Sequence, residues 1–327
     1  MSQERAFWVV GPRVGEVRAA EVPEPGPGQV RVRALCSGVS RGTESIVFAG
    51  RVPPAVAPLM RAPFQEGEFG GPVKYGYLSV GVVEAGAPEL VGRTVFCLHP
   101  HQSAYVVPVG DVHPVPDGVP AHRAVLAGTV ETAVNALWDA RPCVGDRVAV
   151  VGGGMVGLCV TRLLVRHPGV EVTVVEPDPG RRHVAEQLGA RAAAPSAAPG
   201  DLDLVVHTSA TAAGLALSLD ALATDGTVVD LSWYGDQPVT VPLGGAFHVR
   251  RLTLRASQVG TVSPNRSARR TLTDRLRLAL RLLEDPAYDL LLGGPSGLEE
   301  LPGLMPRIAS GEIGSLCHVI TYERGTG

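Results

Sequence analysis

The sequence predicts an α/β protein in two parts, a β-rich region followed by a doubly wound parallel sheet. Three observations carry this. The 147–176 stretch reads strand, glycine turn, helix, strand: Val148, Ala149, Val150 and Val151 lead into Gly152-Gly153-Gly154-Met155-Val156-Gly157, and a second apolar run ends at Glu176. Strand and helix patterns then alternate to about residue 260, which calls for parallel strands with helices on both faces. Before residue 120 the pattern is instead short strands broken by Gly and Pro.

In chain order, 6–10 and 29–35 read as strands around the Pro/Gly break 23–28. Val30, Val32 and Ala34 alternate with Arg31, Arg33 and Leu35, as in a strand with unequal faces. Residues 36–44 are polar, a loop or a helix start. The Pro- and Ala-rich 51–71 is irregular, either a flap over a large substrate or a surface loop. Strands follow at 78–84, 91–97 and 103–107, and the prolines of 111–120 end the region. Leu126, Val130, Val134 and Leu137 share one stripe of a helix over 123–140. A turn at 142–146 enters the glycine-turn unit.

Beyond Glu176 come a helix over 181–188 closed by Gly189, a strand at 202–206, a helix at 212–222, a strand at 226–231 and an extended piece at 247–254. Residues 269–283 form a packing helix, with Leu272, Leu276, Leu280 and Leu283 inward and Arg270, Asp274, Arg277 and Arg281 outward. A short helix at 304–309 and a strand at 316–322 close the chain.

The 327 residues suffice for two domains, and 45% apolar with 19% charged residues describes a globular chain with a large core. A net charge of -3 without a long basic run argues against a nucleic-acid partner. No apolar run reaches the ~18 residues that cross a bilayer, so no membrane partner is expected. Met1-Ser2-Gln3-Glu4-Arg5 has no signal-peptide pattern, and a cytoplasmic location follows as the default. Cys36, Cys97, Cys143, Cys159 and Cys317 are too scattered for a disulfide framework or a zinc knuckle.

The glycine turn has a dinucleotide chemistry. Gly152 permits the sharp turn, Gly154 leaves room for a pyrophosphate, and Gly157 lets the helix pack on the strand. The helix start, Met155 and Val156, presents free N–H groups to the phosphates. Glu176, about 20 residues on, accepts from the adenosine ribose and repels a 2'-phosphate, so NAD is expected over NADP. Arg181 pairs with the ribose edge or with Glu176; with Arg182 it would hold a phosphate if Glu176 turned away. Thr208 and Ser209, and likewise Ser232 and Trp233, follow strands and should lie at the strand ends where such sheets bind ligands.

Gly81-Val82-Val83-Glu84-Ala85-Gly86, Gly145-Asp146-Arg147-Val148 and the glycine turn together resemble the medium-chain dehydrogenase/reductase superfamily, over nearly the whole chain. The resemblance implies a GroES-like β-rich catalytic domain (1–121), a Rossmann domain (122–263) and a return segment completing the first (264–327). It places Gln258 and Val259 near the nicotinamide, and it implies a homodimer or homotetramer. Zinc members hold their metal with a Cys, the His of a Gly-His-Glu motif, and a second Cys or a carboxylate. Here those positions fall near Ser40, at Gly76-Tyr77-Leu78, and near Ala127 or Gly128. None is an ordinary zinc ligand, although Glu44 lies near the first, and the four-Cys structural lobe is missing. A zinc-free member is expected. The metal alternative is His99 and His101 with a distant acid.

A narrower likeness, in Cys36-Ser37-Gly38-Val39-Ser40-Arg41-Gly42-Thr43-Glu44 and Lys74-Tyr75-Gly76-Tyr77, is to the bacteriochlorophyllide hydroxyethyl dehydrogenase branch. That branch oxidises a secondary alcohol on a large substrate to a ketone. The expected function is therefore zinc-independent hydride transfer between NAD(H) and a secondary alcohol or ketone of a fairly large small-molecule substrate. The alternatives are an enone or quinone C=C reductase and a non-catalytic nucleotide-binding scaffold. Without zinc a side chain must handle the substrate oxygen. Tyr77 occupies a vacated ligand position and ranks first, either as the proton-handling group with Lys74 or Arg41 lowering its pKa, or as a wall residue. His99 and His101 rank next, as proton relays or plain loop residues. Arg41 is a clamp for an anionic group, and Glu131 is a cleft carboxylate or a helix-surface acid.

Overall fold

A computed structural model describes residues 3–322. Residues 1–2 and 323–327, the ends of the expected first and last segments, lie outside the described residues. The chain divides into two compact units, Met1–Gly128 with Leu280–Gly327, and Thr129–Ala279.

The first unit is built on a seven-stranded sheet and a four-stranded one. Gln29–Val39 is the long central strand of the larger sheet, pairing with Ser79–Ala85, Cys317–Thr321 and Ala104–Pro108. Its first half alternates as the sequence predicts. Val30, Val32 and Ala34 are buried, while Arg31 and Arg33 reach Glu4 and Glu84 at 3.0 and 2.6 Å. Its second half does not alternate, because both faces are covered. A Cβ at Gly38 would meet the Cys317 Sγ at 2.8 Å and Val125 at 3.3 Å. The smaller sheet runs Val14–Ala20, Glu4–Gly11, Val73–Lys74, Glu66–Gly67. Phe7, Val47 and Phe48 pack there with Met305 and Ile308 of the helix Leu301–Ser310.

The second unit holds a six-stranded, all-parallel sheet in the order Arg191–Ala193, Glu171–Val175, Arg147–Val151, Leu202–His207, Leu222–Asp230, Thr253–Ala256. Successive strands step one way from Arg147–Val151 and then the other. The reversal lies between that strand and Leu202–His207, where open α/β sheets leave a crevice for ligands at the strand ends. Val150, Val174 and Val206 are buried, as two-sided coverage requires. Among the described residues no helix is long and apolar enough to cross a membrane, and all five cysteines are thiols.

Several elements differ from the sequence expectation. The polar 36–44 stretch splits into the strand end at Val39 and the helix Arg41–Phe48. The extended piece expected at 247–254 is a helix, Ala246–Val249, and then a short strand, since Gly245 starts a turn that apolar alternation cannot reveal. Leu292–Gly297 is an edge strand, hidden by a Gly-Gly-Pro composition that only an edge tolerates. The joints were expected after residues 121 and 263. Contacts put them after Gly128 and Ala279.

One buried cation explains the later joint. Arg275, 1% exposed, reaches Glu131 at 3.0 Å, the Asn135 side chain at 2.5 Å and the Thr261 carbonyl at 2.9 Å, and it also holds the Val259 carbonyl. The loop around 258–263 and the helix Leu272–Leu282 are thereby tied into the second unit. Burial pushes the Glu131 carboxyl up, and Arg275 pulls it back. Replacing Arg275 by Leu leaves a buried carboxylate without its cation. We expect a stability loss of about 3–5 kcal/mol, read as a fall in the urea midpoint.

Candidate active site

Within the second unit the glycine turn is shaped by close backbone approach. Gly152 has φ 110°, and a Cβ there would meet the Ser209 backbone N at 2.8 Å. A Cβ at Gly157 would strike the Gly152 carbonyl and, at 2.6 Å, the Thr208 Oγ1. Around Gly154 a Cβ meets nothing within 4 Å, so the turn is open on that side, at the start of the helix Met155–Leu164. Thr208 donates to the Gly152 carbonyl at 2.8 Å and so locks the turn to the neighbouring strand end.

Glu176 follows the strand Glu171–Val175 and is 5% exposed. One carboxylate oxygen accepts the Gly153 N–H at 2.7 Å and the other the Asp178 N–H at 3.0 Å. It faces the turn rather than pointing away. Arg182 spends its guanidinium on the carbonyls of Glu176 and Pro177, at 2.8 and 2.7 Å. The Arg181 backbone N–H donates to Asp178 at 2.9 Å, a bond that holds the Asp178 carboxyl low.

Ser209 and Ser232 join a network that sequence reasoning did not foresee. His207, fully buried, contacts Asp230 at 2.9 Å, Ser209 at 2.8 Å and Ser232 at 3.1 Å, and Tyr234 donates to Asp230 at 3.0 Å. Burial would raise the Asp230 carboxyl, but hydrogen bonds from His207 and Ser232 outweigh it and hold it low. Trp233 is half-buried on the same loop. Gln258 folds back to accept the Gly260 N–H at 2.6 Å, and Arg275 fixes the carbonyl of Val259.

Within the first unit lies a second polar cluster. Ser40 begins the helix Arg41–Phe48, and Glu44, one turn in, reaches back to accept the Ser40 N–H at 2.7 Å. Its other oxygen contacts the His101 Nε2 at 2.9 Å. Tyr77 donates its phenol hydrogen to the Ser40 Oγ at 2.7 Å. Burial, and then the negative charge of Glu44, push the Tyr77 phenol up to about 12. Lys74 does not lower it, as it is held by Glu66 and, at 2.5 Å, by Gln102. Tyr77 is thus held in its protonated form, as a hydrogen donor to Ser40.

The other candidates are dispersed. His99 stacks on Tyr105 at 3.7 Å, gives its Nδ1 to the Pro100 carbonyl at 3.0 Å, and is pushed down to about 3 by burial. It is a neutral packed ring outside the Glu44 cluster. Arg41 has its guanidinium against Gly311. Glu131 belongs to the second unit with Arg275 and is buried, so it is not a helix-surface acid. The third zinc position offers no room, because a Cβ at Gly128 would meet Leu78 at 2.7 Å. Ser40, Tyr77 and Gly128 do not fit a zinc ion, and among the described residues no group of three His, Cys, Asp or Glu converges on one. The residues of the glycine turn do fit a dinucleotide, with an open turn at a helix start and a buried acid facing it.

No family model matches the chain. Over 195 residues it is 28% identical to the 2-desacetyl-2-hydroxyethyl bacteriochlorophyllide A dehydrogenase of Cereibacter sphaeroides, covering 54% of this chain and 57% of that protein. The curated relatives it matches are covered over only 30% to 57% of their own lengths. Among solved structures, a short chain alcohol dehydrogenase of Escherichia coli CFT073 in complex with NADH gives a TM-score of 0.79 at 17% identity, over 98% of this chain and 100% of that one. A Sinorhizobium meliloti protein named as a zinc-binding dehydrogenase, bound to NADP, gives 0.79 at 18% identity over 98% and 100%. This likeness shows the fold, a two-domain architecture with a GroES-like unit and a Rossmann unit.

His99 makes an acid-stability prediction. Its folded pKa lies below its unfolded value, so the unfolded chain binds the extra proton. The stability is full above the ordinary His value and is lost as pH falls from about 6.5 toward 3. At pH 5 the loss is about 2 kcal/mol. His99→Phe keeps the stack on Tyr105, and its urea midpoint should fall less than the wild-type midpoint between pH 7.5 and pH 5.

Proposed function

We propose that the chain is a metal-independent, NAD(H)-linked oxidoreductase that interconverts a ketone and a secondary alcohol, with Tyr77 and Ser40 handling the substrate oxygen. The observation that carries this reading is the Tyr77–Ser40 hydrogen bond, 2.7 Å long, which joins residues that the sequence resemblance sets at or near two zinc-ligand positions. A bound nicotinamide would supply or accept the hydride. Gly152, Gly154, Met155, Val156 and Gly157 would hold its pyrophosphate, with Glu176 on the adenosine ribose and Thr208, Ser209, Ser232, Trp233, Gln258 and Val259 toward the other end. Glu176 faces the turn as a carboxylate and Arg182 is already engaged, which favours NAD over NADP. Arg181, whose backbone N–H is held by Asp178, would lie toward the ribose edge.

The chemistry asked of the first unit is proton handling. Tyr77 donates into Ser40, so the Ser40 hydroxyl hydrogen is left to point at a substrate oxygen. As negative charge grows on that oxygen, the Tyr77–Ser40 pair stabilises it and delivers a proton. A phenol held near 12 is a ready acid toward an alkoxide and a poor base toward an alcohol, so ketone reduction is the favoured direction near neutral pH. The likeness to a dehydrogenase of a large hydroxyethyl-bearing substrate supports a bulky ketone, of the kind found in specialised metabolism. A homodimer or homotetramer is part of the same proposal.

The test begins with NADH and NADPH fluorescence titrations, followed by a panel of ketones and enones with product analysis. NADH should bind more tightly, and Glu176→Gln should narrow the preference by roughly tenfold, ~1.4 kcal/mol. Tyr77→Phe should cut kcat/KM for ketone reduction by roughly 10²–10⁴ with NADH affinity unchanged. The Tyr77 contribution to reduction should be flat from pH 6 to 10, while alcohol oxidation rises with pH toward about 12. Reduction of an enone with its carbonyl kept, at a rate indifferent to Tyr77→Phe, sinks the ketone reading. Absence of binding to either nucleotide sinks the oxidoreductase.

A further inference from the structure

The Glu44 cluster continues away from Tyr77 as an unbroken chain of hydrogen bonds. Glu44 Oε2 meets His101 Nε2 at 2.9 Å, His101 Nδ1 meets Ser37 Oγ at 2.7 Å, and Ser37 Oγ meets the Tyr322 hydroxyl at 2.8 Å. The members come from four places in the first unit: the helix Arg41–Phe48, the loop before Ala104–Pro108, the central strand Gln29–Val39 and the end of the last strand. Ser37, Glu44 and His101 are at most 4% exposed. Only Tyr322 is half-buried.

With one hydrogen on His101, the direction of every hydrogen in this chain follows from donor arithmetic. As a carboxylate Glu44 is an acceptor only, so His101 must carry its hydrogen on Nε2. A ring with one hydrogen then has a bare Nδ1, which takes the single hydrogen of Ser37, whereas a doubly protonated ring would donate to Ser37 instead. The Ser37 oxygen is left to accept, so Tyr322 must donate to it. All donors run from Tyr322 through Ser37 and His101 to Glu44.

The ordered end of the chain touches the reacting pair twice. Glu44 grips the Ser40 N–H at 2.7 Å. The His101 ring packs on the backbone of Gly76, the residue before Tyr77. A Cβ at Gly76, which has φ 135°, would meet that ring at 3.0 Å. The loop bearing His101 is itself anchored, since its carbonyl accepts the Phe7 N–H at 3.0 Å.

We propose that Tyr322, Ser37, His101 and Glu44 form a positioning network, which fixes a single tautomer of His101 and through it the placement of Ser40 and Tyr77. Such a network acts like the group that orients a catalytic base or metal ligand from behind, setting which nitrogen is protonated and where the ring points. The proposal rests on the Tyr77–Ser40 reading of the site. It adds four residues that touch neither substrate nor cofactor in that reading.

The experiment uses the full chain and the variants Ser37→Ala and Tyr322→Phe, each removing one hydroxyl. Nitrogen-15 spectra of the imidazoles should show wild-type His101 with one protonated and one bare nitrogen. Ser37→Ala should abolish that fixed pattern and Tyr322→Phe should weaken it. In both, the carbon-13 signal of the Tyr77 phenol carbon should move. With a ketone substrate, kcat should fall about tenfold in Ser37→Ala, with KM and NADH affinity within twofold of wild type. A wild-type His101 that averages its tautomers or carries its hydrogen on Nδ1 overturns the network. So does a Ser37→Ala protein whose His101 and Tyr77 signals are unchanged. If wild type reduces no ketone, the proposed reaction falls, while the spectra still decide the network.

Discussion

A buried carboxylate left unpaired is among the costliest things a fold can contain. Three glutamates here, Glu44, Glu131 and Glu176, are at most 5% exposed, and each organises one part of the candidate site. Glu176 recruits the N–H groups of Gly153 and Asp178 and so pins the glycine turn to the second strand end. Glu131 requires Arg275, and the remaining donors of Arg275 then capture the loop carrying Gln258 and Val259. Glu44 requires His101 and the Ser40 N–H, which brings a helix start and a distant loop to the same point. The partners follow from the charge, and the local architecture follows from the partners.

This constraint also explains why Tyr77 acts as a donor. Lys74 does not supply the expected activation. Burial and the negative charge of Glu44 both disfavour the phenolate, and Lys74 is held elsewhere. A phenol in such a place resembles the protonated acids that donate hydrogen bonds to developing oxyanions. The fully buried His207 and its partner Asp230 show the same logic in the second unit, where the imidazole, two serines and Tyr234 satisfy one another at adjacent strand ends.

Arg275 shows how nearly a structural role can be read from sequence. Residues 275, 276, 279, 280 and 283 make one continuous buried stripe, while Leu272, expected on it, is exposed. A charge on that stripe signals a buried partner, and the surrounding Arg270, Arg277 and Arg281 concealed it among the wet positions. His99 and His101, two residues apart, look equivalent in the sequence. One is a neutral stacked ring and the other links Glu44 to Ser37.

Sequence alone determined what depends on neighbours in the chain. The turn of Gly152, Gly154 and Gly157, the alternation of Val30, Val32 and Ala34, the parallel sheet beyond residue 147 and the acid at Glu176 are all local patterns of period or spacing. Tertiary structure alone decided which distant groups meet. Ser37 and Tyr322 are 285 positions apart, and Glu131 and Arg275 are 144 apart. No periodicity spans such distances. The partner of a buried polar group is set by where the backbone returns and by the need to leave no charge or donor unanswered, and that need can be met only once the chain has folded.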